Sequence, residues 1–245
     1  MVQSLANFIL MTTLLISSLL LAMPSADPVI TDYVQPGLKD ATFVAKVITG
    51  NQSELKKINK DFGEAYRFKE STIKIKEPFM IRMESNVDDT DVLLVMNGSK
   101  RLMSIPGRFS TRKDLSDSPG MRQTIFDFGI LTPSLFSSLY DAKFVRIDRA
   151  TGNPVFDVIF KRRDVDTSRH RIWVDKDKKY IVKREWFGQE DQQKATFFYT
   201  EPELVGGVWI PTKATVKNTD DKVAGVTDYS LIKVNTGLAD SLFKV

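Results

Sequence analysis

From residue 42 to residue 234, apolar and polar residues alternate at a period of two, with short interruptions. Successive side chains of a β-strand point to opposite faces, so this alternation is typical of strands that bury one face. Turn residues separate the segments, and Asn97-Gly98 is a strong signal for a hairpin. The predicted strands are residues 42–48, 66–76, 79–84, 92–96, 101–105, 143–148, 155–163, 171–176, 180–187, 194–200, 208–216 and 226–234.

About ten strands joined by short turns predict a mainly β protein with a large antiparallel sheet, curved or closed. No Pro/Gly-rich linker divides the chain, so residues 27–245 are expected to form a single domain. The phase of the alternation changes within residues 66–76. Tyr66 and Phe68 share one parity and Ile73 shares the other with Ile75, which predicts a bulge or a sharp bend.

Two segments interrupt the strand pattern. Residues 106–120 are polar, charged and rich in turn residues, which predicts a mobile loop. Residues 121–140 are predicted to be helical in their second part, because Thr132 suits an N-cap and Pro133 suits the first helical position. The helix has one apolar face, which must pack on the sheet and comprises Leu135, Phe136, Leu139 and Tyr140.

The first 26 residues contain no charged side chain. Their apolar run, residues 8–23, is followed by Pro24, Ser25 and Ala26, which is typical of a secretory signal peptide. The alternative is an uncleaved anchor, because residues 5–23 are just long enough to cross a bilayer. Both interpretations place the remainder of the protein outside the cytoplasm.

Composition narrows the function classes. Hydrophobic residues make up 42% and charged residues 27% of the 245, which excludes a wholly disordered chain. The net charge of +4 is too small by itself to indicate binding to nucleic acid. The absence of cysteine excludes disulfides and Cys nucleophiles, and a single histidine excludes a metal site with two His ligands. The basic residues at 161–163 and 169–171 are interpreted as a solvated strand edge, with contact to anionic lipid as the alternative.

The sequence displays no motif of catalytic chemistry. His170 lies between Arg169 and Arg171 and is interpreted as a surface strand residue. Acidic clusters at residues 88–91 and 175–177 fit turns better than a calcium loop. A hydrolase with paired carboxylates stays an alternative, because two acids can meet from anywhere in the chain. No metal, cofactor or enzymatic activity is predicted.

Methionine is concentrated in one part of the chain. Five of the eight methionines lie between residues 80 and 121, at Met80, Met83, Met96, Met103 and Met121. Methionine adapts to varied apolar ligands, although core filling is the simpler explanation. A curved sheet of about ten strands encloses more width than its own side chains fill, so a helix over the opening would leave an apolar cavity. A 16-carbon chain buried there would contribute about 12 kcal/mol, before ordering costs, at about 0.8 kcal/mol per methylene.

Several short motifs resemble the periplasmic lipoprotein-sorting proteins, which include the lipoprotein carriers. The similarity runs from about residue 40 to the end of the sequence. The motifs are Lys76-Glu77-Pro78-Phe79-Met80-Ile81-Arg82-Met83-Glu84, Val95-Met96-Asn97-Gly98, Thr132-Pro133, Trp173-Val174-Asp175-Lys176, Gly206-Gly207-Val208-Trp209-Ile210-Pro211, and Asn235, Leu238, Asp240 and Phe243.

The resemblance implies an unclosed β-barrel that holds lipid and is covered by a helical lid. In the carriers a basic residue commonly precedes the proline of the strand motif and helps to hold the lid closed. Glu77 occupies that position here, so the chain is a divergent member of the family. Residues 106–140 are predicted to be the moving part.

The resulting hypothesis is a monomeric, non-enzymatic periplasmic carrier of lipids or of the acyl moiety of lipoproteins. Its partners would be an inner-membrane release complex and an outer-membrane acceptor. The alternatives are a lipid-binding sensor of envelope stress with the same fold, a structural module with a filled interior, and an enzyme. The predicted apolar pocket comprises Phe68, Ile75, Phe79, Ile81, Met83, Leu94, Met96, Met103, Phe126, Phe136 and Leu139.

Overall fold

A computed structural model describes residues 26–87 and 89–245. The predicted signal segment therefore lies outside the described residues, except for Ala26. Among the residues described, no helix has the length and apolar character that a bilayer span would need.

The described residues form one antiparallel sheet of thirteen strands that does not close into a barrel. The strand order is β6-β5-β4-β3-β2-β1-β13-β12-β11-β10-β9-β8-β7, so β6 and β7 are its two edges. The mainly β antiparallel fold and the unclosed barrel are confirmed. The strands are β1 (Asp40–Gly50), β2 (Glu70–Lys76), β3 (Met80–Val87), β4 (Thr90–Asn97), β5 (Lys100–Ile105), β6 (Phe109–Asp114), β7 (Tyr140–Ile147), β8 (Pro154–Phe160), β9 (Arg169–Val174), β10 (Ile181–Phe187), β11 (Gln193–Val205), β12 (Val208–Lys217) and β13 (Val223–Val234).

The hairpin between β4 and β5 forms where the sequence predicts it. Asn97 pairs with Lys100, and Gly98 adopts a φ of 61°, a left-handed conformation that glycine tolerates without steric cost. The phase change within residues 66–76 has a simple origin. Tyr66 and Phe68 lie in the turn before β2, and the regular alternation starts only at Glu70.

Two short α-helices, α1 (Gln52–Ile58) and α2 (Lys60–Ala65), connect β1 to β2. The Asn51 side chain accepts backbone N–H bonds from Ser53 and Glu54 and so caps α1, while Asn59 caps α2. Leu55 and Ile58 bury the apolar side of α1.

The prediction of a loop over residues 106–120 is wrong in part, because residues 109–114 form β6. All six residues of this edge strand are exposed, so neither face carries the apolar alternation that marks a buried strand. The surface position predicted for His170 is also wrong. Its side chain is buried, and its ring centroid lies 5.2 Å from that of Phe126.

The chain between the two edge strands, residues 115–139, crosses the inner face of the sheet and is called the cover. It contains 3-10 turns at Pro119–Met121 and Ile125–Phe128, followed by the short helix α3 (Leu135–Leu139). A helix after Thr132 is thereby confirmed, but Leu135–Leu139 form a single π-helical turn, with the Tyr140 N–H bonded to the Leu135 carbonyl. The N-cap prediction for Thr132 is wrong, because the capping position is Ser134 and no side chain caps the turn. The apolar side of α3 packs on the core as predicted, with Leu135, Leu139 and Tyr140 buried and Phe136 partly buried.

Candidate functional site

A row of apolar side chains runs across four adjacent strands on the inner face. Antiparallel pairing places Ile73 beside Met83, Met83 beside Leu94, and Leu94 beside Met103. Directly paired residues of neighbouring strands point to the same face. The register therefore joins residues that are far apart in the sequence into one apolar stripe.

The cover lies on this face and contacts widely separated strands. The ring centroid of Phe128 lies 5.1 Å from that of Phe43 on β1. The Tyr199 hydroxyl of β11 donates to the Asp127 carbonyl at 3.1 Å, and the Ile181 N–H of β10 donates to the Gly129 carbonyl at 2.8 Å. The cover is thus fastened to both halves of the sheet by aromatic packing and by hydrogen bonds.

Between the stripe, helix α2 and the cover lies a cavity of about 440 Å³, called the apolar cavity. This volume is within the range of small-ligand sites, about 300–1,000 Å³. The lining is mostly aliphatic and aromatic, with Arg122, Asp127 and Arg184 at one side. Other lining residues include Val47, Phe62, Tyr66, Phe68, Ile73, Met83, Val92, Leu94, Met103, Met121, Phe128, Phe197, Tyr199 and Tyr229.

The Tyr66 ring can lie in this wall because the residue beneath it, Gly225, has no side chain. Its ring lies over Gly225 of β13, where an added Cβ would be 2.2 Å from the Tyr66 Cε1 atom. Burial raises the pKa of the Tyr66 hydroxyl, which therefore stays neutral near pH 7. The residue contributes an uncharged aromatic surface to the cavity.

The predicted pocket residues fall into two groups. Four of them line the apolar cavity: Phe68, Met83, Leu94 and Met103. The other seven do not line it: Ile75, Ile81, Met96, Phe126 and Leu139 are buried in the core, and Phe79 and Phe136 pack against the core while partly exposed. The core residues Ile75, Ile81 and Met96 pair across β2, β3 and β4 on the same inner face, one pleat from the stripe.

A second cavity of about 390 Å³, called the polar cavity, adjoins the first. Arg184 of β10 lies between them and lines both; it is 5% exposed, and its Nη1 atom is 3.0 Å from the Asp127 carboxylate. The Asp127 carboxylate also accepts the Thr124 N–H at 3.0 Å, which fixes the turn that presents it. This ion pair, buried at Arg184 and partly exposed at Asp127, joins the cover to β10.

His170 also lines the polar cavity. Burial and then the charge of Arg184 hold the pKa of His170 well below its usual range, so the ring is neutral near pH 7. Its Nδ1 atom is buried without a hydrogen-bond partner. A buried ring nitrogen without a partner costs free energy.

Sequence reasoning missed the role of Arg184, although a signal was present. In β10 this arginine shares the parity of Val182 and Trp186, not that of the outward residues Lys183 and Glu185. Its paired neighbours are Ile172 on β9 and Phe197 on β11, both buried. A charged residue on the apolar parity of a strand is unusual and marks a site that needs its charge.

The turn between β2 and β3 meets the start of α3. Ser134, the residue before α3, donates a hydrogen bond to the carboxylate of Glu77, and the Thr132 hydroxyl lies 3.1 Å from that of Ser134. Burial raises the pKa of the Glu77 carboxyl, while the hydrogen bonds from Ser134 and Thr132 oppose the shift. Glu77, at the position where the resemblance implies a basic residue, is therefore a hydrogen-bond acceptor in this chain.

Comparisons with known proteins agree with the sequence motifs. A family model described as "Uncharacterized protein" matches residues 69–245. No curated protein matches the chain.

Among solved structures, a LolA superfamily protein from Nitrosomonas europaea has 15% identity and a TM-score of 0.56, with 88% of this chain and 94% of that chain covered. An outer-membrane lipoprotein-sorting protein domain from Vibrio parahaemolyticus has 12% identity and a TM-score of 0.53, with 88% and 93% covered. A DUF1329 family protein from Desulfovibrio piger has 14% identity and a TM-score of 0.50, with 89% and 98% covered. At these identities the likeness shows a common fold.

Proposed function

Since the chain belongs to the family whose model spans residues 69–245, and since its fold confirms the resemblance to the lipoprotein-sorting proteins, we propose that it is a periplasmic carrier of lipid or of lipoprotein acyl chains. The cargo would pass toward the outer membrane. The observation that carries this proposal is the apolar cavity between the stripe and the cover.

The cavity supports a carrier because its lining consists of flexible apolar side chains. Three of the five clustered methionines, Met83, Met103 and Met121, line it, whereas Met96 is buried in the core. Methionine side chains adjust to chains of different length and unsaturation. Burial of an acyl chain releases about 0.8 kcal/mol per methylene, so affinity needs no catalytic group.

Transfer requires that the affinity for cargo differ between an open and a closed state. The cover is the segment that would move, because it lies between the two edge strands and closes the cavity from one side. Its polar attachments to the sheet include Ser134 to Glu77 and Arg184 to Asp127, together with the bonds that the Asp127 and Gly129 carbonyls accept from Tyr199 and Ile181. Opening would break them and expose Met121 and Phe128 together with the stripe.

The experiment is extraction of the purified mature protein followed by lipid mass spectrometry, together with titration by the neutral fluorophore N-phenyl-1-naphthylamine. We expect co-purified lipid or acyl chains and saturable fluorophore binding. In Leu94→Trp the indole would fill the cavity and abolish binding, whereas Leu93→Trp, one residue away on the outer face, would bind normally. A protein without lipid that also refuses the fluorophore would overturn the proposal. The sensor hypothesis instead predicts a stable complex with a membrane protein and no exchange of cargo.

A further inference from the structure

The two cavities are neighbours with a shared wall. Seven residues line both of them, three of them charged: Phe62, Gly120, Met121, Arg122, Asp127, Arg184 and Phe197. The cavities meet at Arg122 and Arg184, with the apolar lining on one side of these arginines and the polar lining on the other. This arrangement matches an amphiphile.

Arg184 is held rigidly where the two cavities adjoin, and its hydrogen-bond donors are not all paired. Its guanidinium carbon lies 4.1 Å from the ring centroid of Phe197, and its Nη1 atom is bonded to Asp127. Its Nε–H is buried without a partner. A buried unpaired N–H of an ionised group is costly, and a hydrogen-bond acceptor supplied by a ligand would remove that cost.

Arg122 supplies a second guanidinium at the same place. It is half-buried and lines both cavities, and its Nε atom makes one long bond, 3.4 Å, to the Leu115 carbonyl. In the part of the chain that the structure describes, it forms no ion pair with a carboxylate. The planar guanidinium is suited to bidentate bonds with carboxylate or phosphate.

The carboxylates that line the polar cavity already have donors of their own. Asp127 is bonded to Arg184 and to the Thr124 N–H. Asp166 accepts the N–H and hydroxyl of Ser168 and the Gly120 N–H at 3.1 Å, and Asp117 pairs with the exposed Arg162 at 3.3 Å. Among these lining groups, the Arg122 guanidinium is left for a ligand.

We propose that the polar cavity receives the anionic headgroup, carboxylate or phosphate, of an amphiphile whose chain lies in the apolar cavity. This assignment rests on the proposed carrier function and specifies its substrate class. Arg122, which lines both cavities, provides the charge partner and the hydrogen-bond donors. Neutral lipids and cationic lipids would bind through the chain alone.

The test measures displacement of N-phenyl-1-naphthylamine by single-chain probes of equal length, each below its critical micelle concentration: laurate, dodecyl phosphate, dodecanol and dodecyltrimethylammonium. We expect laurate and dodecyl phosphate to bind about ten-fold or more tightly than dodecanol, because a charge-assisted hydrogen bond is stronger than one to a neutral hydroxyl. Arg122→Gln should remove this preference, so that laurate and dodecyl phosphate bind the variant no more tightly than dodecanol does. The control Arg112→Gln, at an exposed position of β6, should keep it.

The outcomes separate this inference from the proposed function. Equal affinity for laurate and dodecanol, or an anion preference that survives Arg122→Gln, would overturn the headgroup site while the carrier proposal stands. Failure of dodecanol and the neutral fluorophore to bind would overturn the carrier proposal itself.

Calorimetry with inorganic phosphate alone should show no comparable binding. Phosphate bound as tightly as dodecyl phosphate would identify a site for a free anion and contradict the headgroup assignment.

Discussion

The hydroxyl of Ser134 donates a hydrogen bond to the carboxylate of Glu77 and thereby joins the start of α3 to the turn between β2 and β3. These residues are separated by 57 positions in the sequence. The contact ties the cover to the half of the sheet that carries the stripe. Arg184 and Asp127 tie it to the other half, across β10.

The contribution of this bond can be measured by a double-mutant cycle. We expect Glu77→Ala and Ser134→Ala each to lower the free energy of unfolding. In the double variant the loss should be about 1 kcal/mol smaller than the sum of the two single losses. Release of bound N-phenyl-1-naphthylamine should become faster in both variants. Glu70→Ala, at an exposed position of β2, is the control. Additive effects in chemical denaturation would contradict the coupling.

The same carboxyl should make stability depend on pH in a defined direction. Because burial raises the pKa of Glu77 in the folded protein, its contribution to stability is full when pH is below the unfolded pKa and is lost as pH rises through the folded pKa. Glu77→Gln keeps an acceptor for Ser134 and carries no charge. We expect the variant to gain stability relative to the native protein between about pH 4.5 and pH 7. Parallel stability curves over that interval would show that the group is not buried in this way.

His170 predicts a second dependence on pH, of opposite sign. The folded pKa of His170 is depressed by burial and by Arg184, so below the unfolded pKa of about 6.5 the unfolded chain binds a proton that the folded protein does not. Stability should fall by about 1.4 kcal/mol for each pH unit below that value.

Since the chain contains one histidine, His170→Gln should flatten the curve between pH 5 and pH 7. The variant and the native protein can be compared by urea denaturation at each pH. Asp127 and Asp166 also line the polar cavity. A native curve that is already flat over this interval would place His170 in contact with solvent.

The sheet was predictable because its buried strands alternate, and the exceptions have physical causes. β6 carries no signal, because all its residues are exposed. Arg184 lies on the apolar parity, but only the register of β9, β10 and β11 shows that it is enclosed by Ile172 and Phe197. His170 was misplaced because its charged sequence neighbours, Arg169 and Arg171, lie on the other face of β9.

The sequence pattern predicts which face of the sheet carries the pocket residues. It does not predict at which positions along the strands the cavity lies. Ile75, Ile81 and Met96 share the inner face with Met83, Leu94 and Met103, as the alternation requires. The cover packs against some positions along the strands and leaves a cavity at others. This choice depends on contacts between residues more than 50 positions apart, such as Ser134 with Glu77. A periodic pattern contains no such information.

The C-terminal segment should be essential to stability. Phe243 is fully buried against the outer face of β3 and β4, the Arg82 guanidinium donates to the Leu242 carbonyl at 3.1 Å, and the Asn97 amide donates to the Phe243 carbonyl at 3.2 Å. Phe243→Ala should cost about 3–5 kcal/mol of unfolding free energy. Phe109→Ala, at a residue that is 47% exposed, should cost less than about 0.5 kcal/mol. Equal losses in thermal or urea unfolding would contradict the packing described for this segment.

Two methionines on the inner face of neighbouring strands separate a cavity wall from a core. Met83 lines the apolar cavity and is half-buried, whereas Met96 is 1% exposed and belongs to the core.

In Met83→Asp the carboxylate can reach water through the cavity, so we expect a loss of stability of about 1 kcal/mol. An ionised group in an apolar site disfavours an acyl chain, and fluorophore binding should weaken at least about ten-fold. In Met96→Asp the carboxylate has no route to water and no partner, so about 4 kcal/mol or more should be lost. If Met83→Asp unfolds the protein as severely as Met96→Asp, the hollow beside Met83 is filled in solution, and the carrier proposal loses the observation on which it stands.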